Sequence, residues 1–366
     1  MDNFVVENLG PIAKAEVDFG DLTILTGPQA SGKTLFLETF KLVKDFDYLI
    51  FSFPANSEDN GDDFLDYYYG EGMHSLITKD THLSLNGDKT DINYTREALK
   101  KASNNKQNEY EQVYYIPAQR SLAFSEGRIK TSDDFINSPY VVPKFCYYLR
   151  LVLGTKTFKF ENFDSLHNAE LKTRRSAGSL RLSMILHNQV IPYMAWSTGQ
   201  RELTPLLMAL ECFQLAISLE PLDLNYIEHT KYIVIEEPEI GLHPRAIIEF
   251  MFTVLKLMKS GVKVVISTHS STPLDFVWAM NHLKESNAKI DNIAEMFDFK
   301  IKDKSVFDGL AEKVIKVYYF SPDKKTRKVY SKDISSLDVY SEDEDVSNWG
   351  GMSLSADRAG SIVSKF

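Results

Sequence analysis

LTILT (residues 22–26) runs directly into GPQASGKT (27–34), which is followed by LFLETFKLVKDF (35–46). A short β-rich run, a glycine-containing loop and apolar residues at helical spacing predict a strand, a loop and a helix in that order. The loop fits G-x-x-x-x-G-K-[ST] at every fixed position. Gly27 and Gly32 let backbone N–H groups turn inward around an anion, with Pro28, Gln29, Ala30 and Ser31 between them. The helix that follows points its positive N-terminal end at the same place. Lys33 is then placed to reach the β- and γ-phosphates of a nucleotide, and the Thr34 hydroxyl to ligate Mg²⁺. An α/β fold built around a phosphate loop is the expectation.

Upstream, FVVENL and IAKAEVDF read as two further strands, split from each other by Gly10-Pro11 and from LTILT by Gly20-Asp21. Downstream, residues 56–69 are acidic and read as a loop or small insertion, and THLSLNGDKTDINYT reads as a hairpin turning at Asn86-Gly87. The polar run REALKKASNNKQNEYEQ reads as a solvated helix or a linker. VYYIPAQR is a buried-type strand ending in a polar tip. Residues 132–175 read as mostly helical, an inserted lobe. SLRLSMILHNQVIPYMAW reads as a second hairpin around His187-Asn188.

Strand and helix then alternate. KYIVIEEPE and VKVVISTHS read as buried parallel strands, and STGQRELTPLLMALECFQLAISL, RAIIEFMFTVLKLMKS and PLDFVWAMNHLKES as helices. A last hairpin, VIKVYYF and RKVYSKDI joined by SPDKKT, precedes an acidic tail after Asp338. The segments are 1–55 (N-terminal strands and phosphate loop), 56–125 (insertion, hairpin and strand), 126–195 (helical lobe), 196–285 (alternating core) and 286–366 (C-terminal extension). All are read as parts of a single head.

Four further positions carry candidate chemistry. Glu236 and Glu237 end the strand YIVI, where one carboxylate can hold Mg²⁺ and the next can orient and deprotonate a water. Ser197, Gly199 and Gln200 open a helix, and a hydroxyl and glycine N–H at a helix start form an anion site as readily as an ordinary cap. His269 ends a strand one helix and one strand beyond the carboxylates, a position from which an imidazole can meet a γ-phosphate. Gln119, at another strand tip, can ligate Mg²⁺ or hold the water, or be a surface residue; Arg120 beside it can sense a nucleotide or a partner.

The formal net charge is −10 and 43% of residues are hydrophobic, an ordinary globular composition that argues against binding nucleic acid by bulk charge. Lys172, Arg174, Arg175 and Arg181 form the one suggestive basic cluster. Cys146 and Cys212 lie in no metal or disulfide spacing. The N-terminus lacks a signal-peptide pattern and no stretch approaches the ~20 apolar residues of a membrane span, so a cytoplasmic protein without a membrane partner is expected.

In their order, GPQASGKT, Gln119, STGQRE, VIEE and STHSS resemble the Walker A, Q-loop, signature, Walker B and His-switch motifs of the ABC ATPase superfamily. The resemblance runs from about residue 4 to residue 275. The opening NLGPIAKAEVDFGDLTILTGP and IEEPEIGLHP are similar to the RecF/SMC-like and OLD-like branch. Glu236 stands where transporter cassettes usually have Asp, and Gln29 where the branch often has Asn. The resemblance implies an ABC-type head with an N-terminal antiparallel β-subdomain that binds and hydrolyses ATP. Two copies would sandwich each nucleotide between the loop at Lys33 of one and Ser197–Gln200 of the other. Glu237, His269 and Lys33 would be catalytic, and Thr34, Gln119 and Glu236 would serve the metal.

Asp343-Glu344-Asp345 is an Asp-x-Asp within an acidic run, without the α/β surroundings of a nuclease domain. The expectation is therefore a head whose effector is a separate protein, similar to ATPase subunits of two-component anti-phage systems such as that of PARIS. A DNA-clamping maintenance ATPase and a transporter motor are the alternatives.

Overall fold

The computed structural model describes residues 1–53, 61–90, 110–135, 137–153, 158–159, 169–176, 179–218, 229–301, 303–353 and 362–363. Residues 96–109 of the polar run anticipated at 96–112, the end of the expected hairpin at 91–95 and the acidic residues 56–60 lie outside them. The fold is α/β, and the chain divides into two compact units, Met1–Phe40 with Ile77–Ile92 and Ile247–Phe366, and Lys41–Leu76 with Asn93–Ala246.

The first unit carries β1 (Asp2–Leu9), β2 (Ile12–Phe19), β3 (Leu22–Thr26), β4 (His82–Leu85) and β5 (Asp88–Thr90), the three opening strands and the hairpin expected. Asn86 at φ 56° and Gly87 at φ 86° make the two-residue turn that Asn-Gly favours. Later in the chain come β14 (Lys263–Thr268), β15 (Ile315–Pro322) and β16 (Val329–Asp333). The strand order is β5-β4-β1-β2-β16-β15-β3-β14. β1 pairs antiparallel with β2 and β4, while β14 and β15 both run parallel to β3. Both hairpins lie side by side because β16 runs parallel to β2.

Phe4, Phe19, Phe36 and Phe320 are fully buried or nearly so, and their rings pack edge to face or tilted, Phe4 against Phe36 at 5.2 Å and Phe36 against Phe320 at 5.3 Å. They hold the first turns of helix α1 (Lys33–Lys44) over the strands, which is how the loop at residue 27 is fixed.

The second unit is built on β6 (Val113–Ile116) and β13 (Tyr232–Glu236), paired parallel with Ile116 opposite Ile235. Every residue of β6 and β13 is buried. The unit also holds α2 (Phe46–Ser52), α3 (Gly61–Tyr69), α4 (Val141–Leu153) and α5 (Thr198–Ser218). Tyr114 stacks on Tyr148 of α4 at 4.3 Å and donates its hydroxyl to Ala209 O of α5 at 2.9 Å, so one strand residue pins both helices.

The acidic stretch read as a loop is helical from Gly61. Phe64, Leu65, Tyr68 and Tyr69 line one face of α3 and are buried, which outweighs the Asp62, Asp63 and Asp66 that mask the pattern. Among the described residues of 132–175 there is one long helix, α4; beyond it β9 (Phe158–Lys159), β10 (Glu170–Ser176), β11 (Ser179–Leu186) and β12 (Gln189–Pro192) form an antiparallel sheet in the order β12-β11-β10-β9. The hairpin at His187-Asn188 is as expected, both residues having positive φ (49° and 61°). β7 (Phe124–Ser125) and β8 (Arg128–Ile129) form a small ribbon.

Helices α6 (Pro244–Lys259) and α7 (Thr272–Glu285) flank β14 in sequence, as read. The acidic tail is not wholly solvated: Lys332 of β16 binds Asp343 at 2.6 Å and Asp345 at 2.8 Å, and the Trp349 indole, buried, donates to Leu337 O at 2.9 Å. Among the described residues no helix is long and apolar enough to cross a membrane.

Candidate nucleotide site

In the first unit β3 ends at Thr26 and the chain turns sharply. Gly27 has φ 148°, Ala30 60° and Gly32 84°. Three positive values within six residues give the alternating backbone that gathers N–H groups around an anion. Two of the turns demand glycine. A Cβ on Gly27 would lie 2.7 Å from Phe320 O, and one on Gly32 2.9 Å from Ile12. Pro28, Gln29, Ala30 and Thr34 are exposed, whereas Ser31 and Lys33 are buried.

The Lys33 ammonium is folded back over its own loop, donating to Gly27 O at 2.9 Å, Pro28 O at 3.0 Å and Ser31 Oγ at 3.3 Å. A cation thus stands in the seat that a phosphate would share. These residues fit a nucleotide's phosphates, with Thr34 placed on the open side of the first helical turn to meet a metal.

His269 follows β14. Because β14 and β3 are parallel and Thr268 lies opposite Thr26, the imidazole begins from the same sheet edge as the phosphate loop. The turn after it is fixed locally: Ser270 N–H donates to Thr268 Oγ1 at 3.0 Å and Thr272 N–H to Ser270 Oγ at 3.2 Å.

In the second unit the parallel pair β6 and β13 brings Glu236, Glu237 and the segment Pro117–Arg120 to one edge. Glu236 is buried and Glu237 half-buried. Glu237 has φ 40°, a left-handed conformation uncommon for a residue with a side chain. Arg120 explains how it is held. Its guanidinium, completely buried, donates to Glu236 O at 2.8 Å, Glu237 O at 3.1 Å, Pro117 O at 3.3 Å and, through Nε, Glu202 O at 3.3 Å. Burial lowers its pKa below the ordinary arginine value, opposed by the nearby carboxylates of Glu202, Glu239, Glu236 and Glu237.

Arg120 therefore positions the strand end from inside the unit, where the sequence pointed to a sensor of nucleotide or partner. The signal was present in the letters: an arginine directly after a buried strand and Pro117 has its fork within reach of neighbouring carbonyls. Gln119 is exposed at the start of a 3₁₀ turn, and its side chain makes no capping bond.

Ser197 caps α5. Gln200 N–H donates to Ser197 Oγ at 3.3 Å, and Ser197 N–H to Gln200 Oε1 at 2.9 Å, a reciprocal capping box. Gln200 thus has a structural task besides the one assigned to it. Gly199 has another: a Cβ there would sit 2.8 Å from Gly241 O, so the helix start and the turn after β13 touch backbone to backbone.

Comparison with known proteins adds the chemistry. Residues 149–272 match the family model AAA_15, AAA ATPase domain. The protein carries an ATPase domain. That segment contains Ser197, Gly199, Gln200, Glu236, Glu237 and His269. No curated protein matches the sequence. Among solved structures, the chain is similar to an SMC head bound to the C-winged helix domain of ScpA (13% identity, 90% of this chain and 97% of that one, TM-score 0.43). It is also similar to the SMC head domain from Thermotoga maritima (10%, 90% and 97%, 0.37). A third likeness is to the dimeric bacterial ABC transporter cassette MJ0796 (11%, 73% and 88%, 0.35).

Proposed function

We propose that this ATPase domain works as an ABC-type head, binding ATP on the loop Gly27–Thr34 and hydrolysing it with Glu237. The observation that carries the proposal is the loop: three positive-φ turns, two glycines with no room for a Cβ, and a buried lysine aimed at its centre. Lys33 neutralises β- and γ-phosphate charge. Mg²⁺, where bound, supplies further neutralisation of the phosphate oxygens; Thr34, Glu236 and Gln119 are the residues proposed to hold it. Glu237 accepts the proton of the attacking water, its carboxylate aimed by the strand end that Arg120 fixes. His269 contacts the γ-phosphate.

Two copies associate around nucleotide, with Ser197, Gly199 and Gln200 of one copy facing the phosphates bound by the other. The cap geometry supports this role, since Ser197 Oγ and the first N–H groups of α5 stand at an exposed helix start. Binding would then act as a reversible joint whose state depends on hydrolysis.

On the resemblance of its motifs, the head senses a trigger and holds or releases a separate effector, a toxic nuclease, in bacterial anti-phage defence. Asp343 and Asp345 are tied to Lys332, which supports assigning them a structural task.

Steady-state ATP hydrolysis against protein concentration, for wild type and Glu237→Gln, with and without duplex DNA, tests the proposal. Specific activity should rise with concentration and vanish in the variant. Equal activity in both proteins would remove Glu237 from the chemistry. Strong, salt-sensitive stimulation by DNA would favour the DNA-clamping alternative.

A further inference from the structure

The second unit contains a cavity of about 510 Å³ that none of the nucleotide-handling residues touches. Its wall comes from α2, α3, α4 and the segment 132–140. Four tyrosines (Tyr48, Tyr67, Tyr140, Tyr147) and Phe135 supply aromatic faces, and Ser132 and Ser138 supply hydroxyls. Arg150 stands exposed at the wall, and no ion pair to it is formed among the described residues.

The chemistry of the wall selects a ligand. Among the described residues no carboxylate lines the cavity. The Lys144 ammonium lies 4.9 Å from the Tyr48 ring centroid and 5.5 Å from that of Tyr147, so the protein's own cation already occupies the cation–π seats. Lys144 is also held by Glu111 at 2.7 Å and the Tyr48 hydroxyl at 2.8 Å, which keeps it charged and in place. A cationic ligand would meet the charge of Arg150, while Lys144 is already paired with Glu111.

A flat aromatic group, by contrast, meets a wall of aromatic side chains, and an anionic group finds Arg150 with its planar fork of donors. The volume lies within the range of small-molecule sites and suits a ring, a sugar-sized linker and one phosphate.

We propose that this cavity binds an aromatic monophosphate of nucleoside monophosphate size. The base would stack among Tyr67, Tyr140 and Tyr147, and the phosphate would sit on Arg150. The site is separate from the phosphate loop and takes a ligand with a single phosphate, for which the loop at Lys33 has no preference. It goes beyond the ATPase reading and does not depend on it.

The test is calorimetric titration of AMP, GMP, CMP and UMP into the full chain, wild type and Lys33→Ala, each with and without Arg150→Gln. At least one of the four should bind saturably to both the wild type and Lys33→Ala. Adding Arg150→Gln, at an exposed position that leaves the fold intact, should weaken it by at least about tenfold. Tyr147→Leu should weaken it severalfold through lost stacking. Three results would overturn the proposal: no saturable binding of any of the four up to about 1 mM, binding abolished by Lys33→Ala, or binding indifferent to Arg150→Gln.

Discussion

Replacing Arg120 by methionine removes a fully buried guanidinium and its hydrogen bonds to the carbonyls of Pro117, Glu202, Glu236 and Glu237, made at 2.8 to 3.3 Å; Glu237 O keeps the N–H of Ile240 at 3.2 Å. At about 1 kcal/mol for each of the four hydrogen bonds lost, the loss is about 4 kcal/mol. Methionine fills most of the volume and returns about 1 kcal/mol. A net cost near 3 kcal/mol is large beside the 5–15 kcal/mol that is roughly typical of a folded domain. Urea unfolding measures it, and hydrogen exchange of peptides covering 113–120 and 232–240 localises it.

Arg120→Lys should recover only part of the loss, because an ammonium cannot present a fork to four carbonyls. Turnover should fall in both variants while they remain folded, since Glu237 at φ 40° loses the guanidinium donor on its carbonyl and keeps there only the N–H of Ile240. An unfolding midpoint for Arg120→Met that shifts by less than the equivalent of about 1 kcal/mol would refute the reasoning. So would unchanged turnover.

Glu237→Gln should lower hydrolysis by at least about 100-fold while nucleotide binding, followed by a fluorescent ATP analogue, persists. Lys33→Ala should weaken MgATP binding by at least about tenfold, with far-UV circular dichroism unchanged. Gly199→Ala drives a Cβ to 2.8 Å from Gly241 O and should cost about 1–3 kcal/mol in urea unfolding, with a loss of turnover.

The buried group of Lys41, Asp45, Glu111 and Lys144 makes a pH prediction. Burial, first, and the nearby Glu111 raise Asp45 to about 6, against the pull of Lys41. Burial also pushes Glu111 upward, but Lys41 and Lys144 outweigh it and hold it at about 2. An acid whose folded pKa is raised binds more protons folded than unfolded, so its contribution is present below its ordinary value and lost as pH rises through about 6. The stability of wild type relative to Asp45→Asn should therefore fall by about 1–3 kcal/mol between pH 4 and pH 7. The Glu111 contribution runs the other way: it is present above that group's ordinary value and lost as pH falls toward 2. A flat wild-type-minus-variant difference would contradict the Asp45 assignment.

Much of this was legible because local chemistry and burial agree. GPQASGKT could be placed from its letters alone, since two glycines, a lysine and a β-run followed by a helical run leave few alternatives. The strands β3, β13 and β14 are short buried runs rich in Leu, Ile and Val, and the Asn86-Gly87 and His187-Asn188 turns announce their hairpins. What was hidden was hidden by charge or by distance. Three aspartates disguise the buried face of α3. The sheet β9 to β12 reads as helical at its start because ELKTRRS carries polar residues with no alternation to an apolar face. Arg120 was seen but given a role at the surface, because a charged residue at a strand tip reads as exposed. Only the pairing of β6 with β13 shows four carbonyls converging on it.

The contact between Gly199 and Gly241 ties two stretches that lie 42 positions apart into one mechanical part. The two glycines are needed for different reasons: a Cβ on Gly199 would run into Gly241 O, whereas Gly241 is held to glycine by its left-handed backbone at φ 69°. A hinge would have flexible residues here. This joint is closely packed instead, main chain against main chain with Thr198 and Glu202 beside it, so the turn behind Glu237 and the first turn of α5, where Ser197 stands, are seated directly on each other.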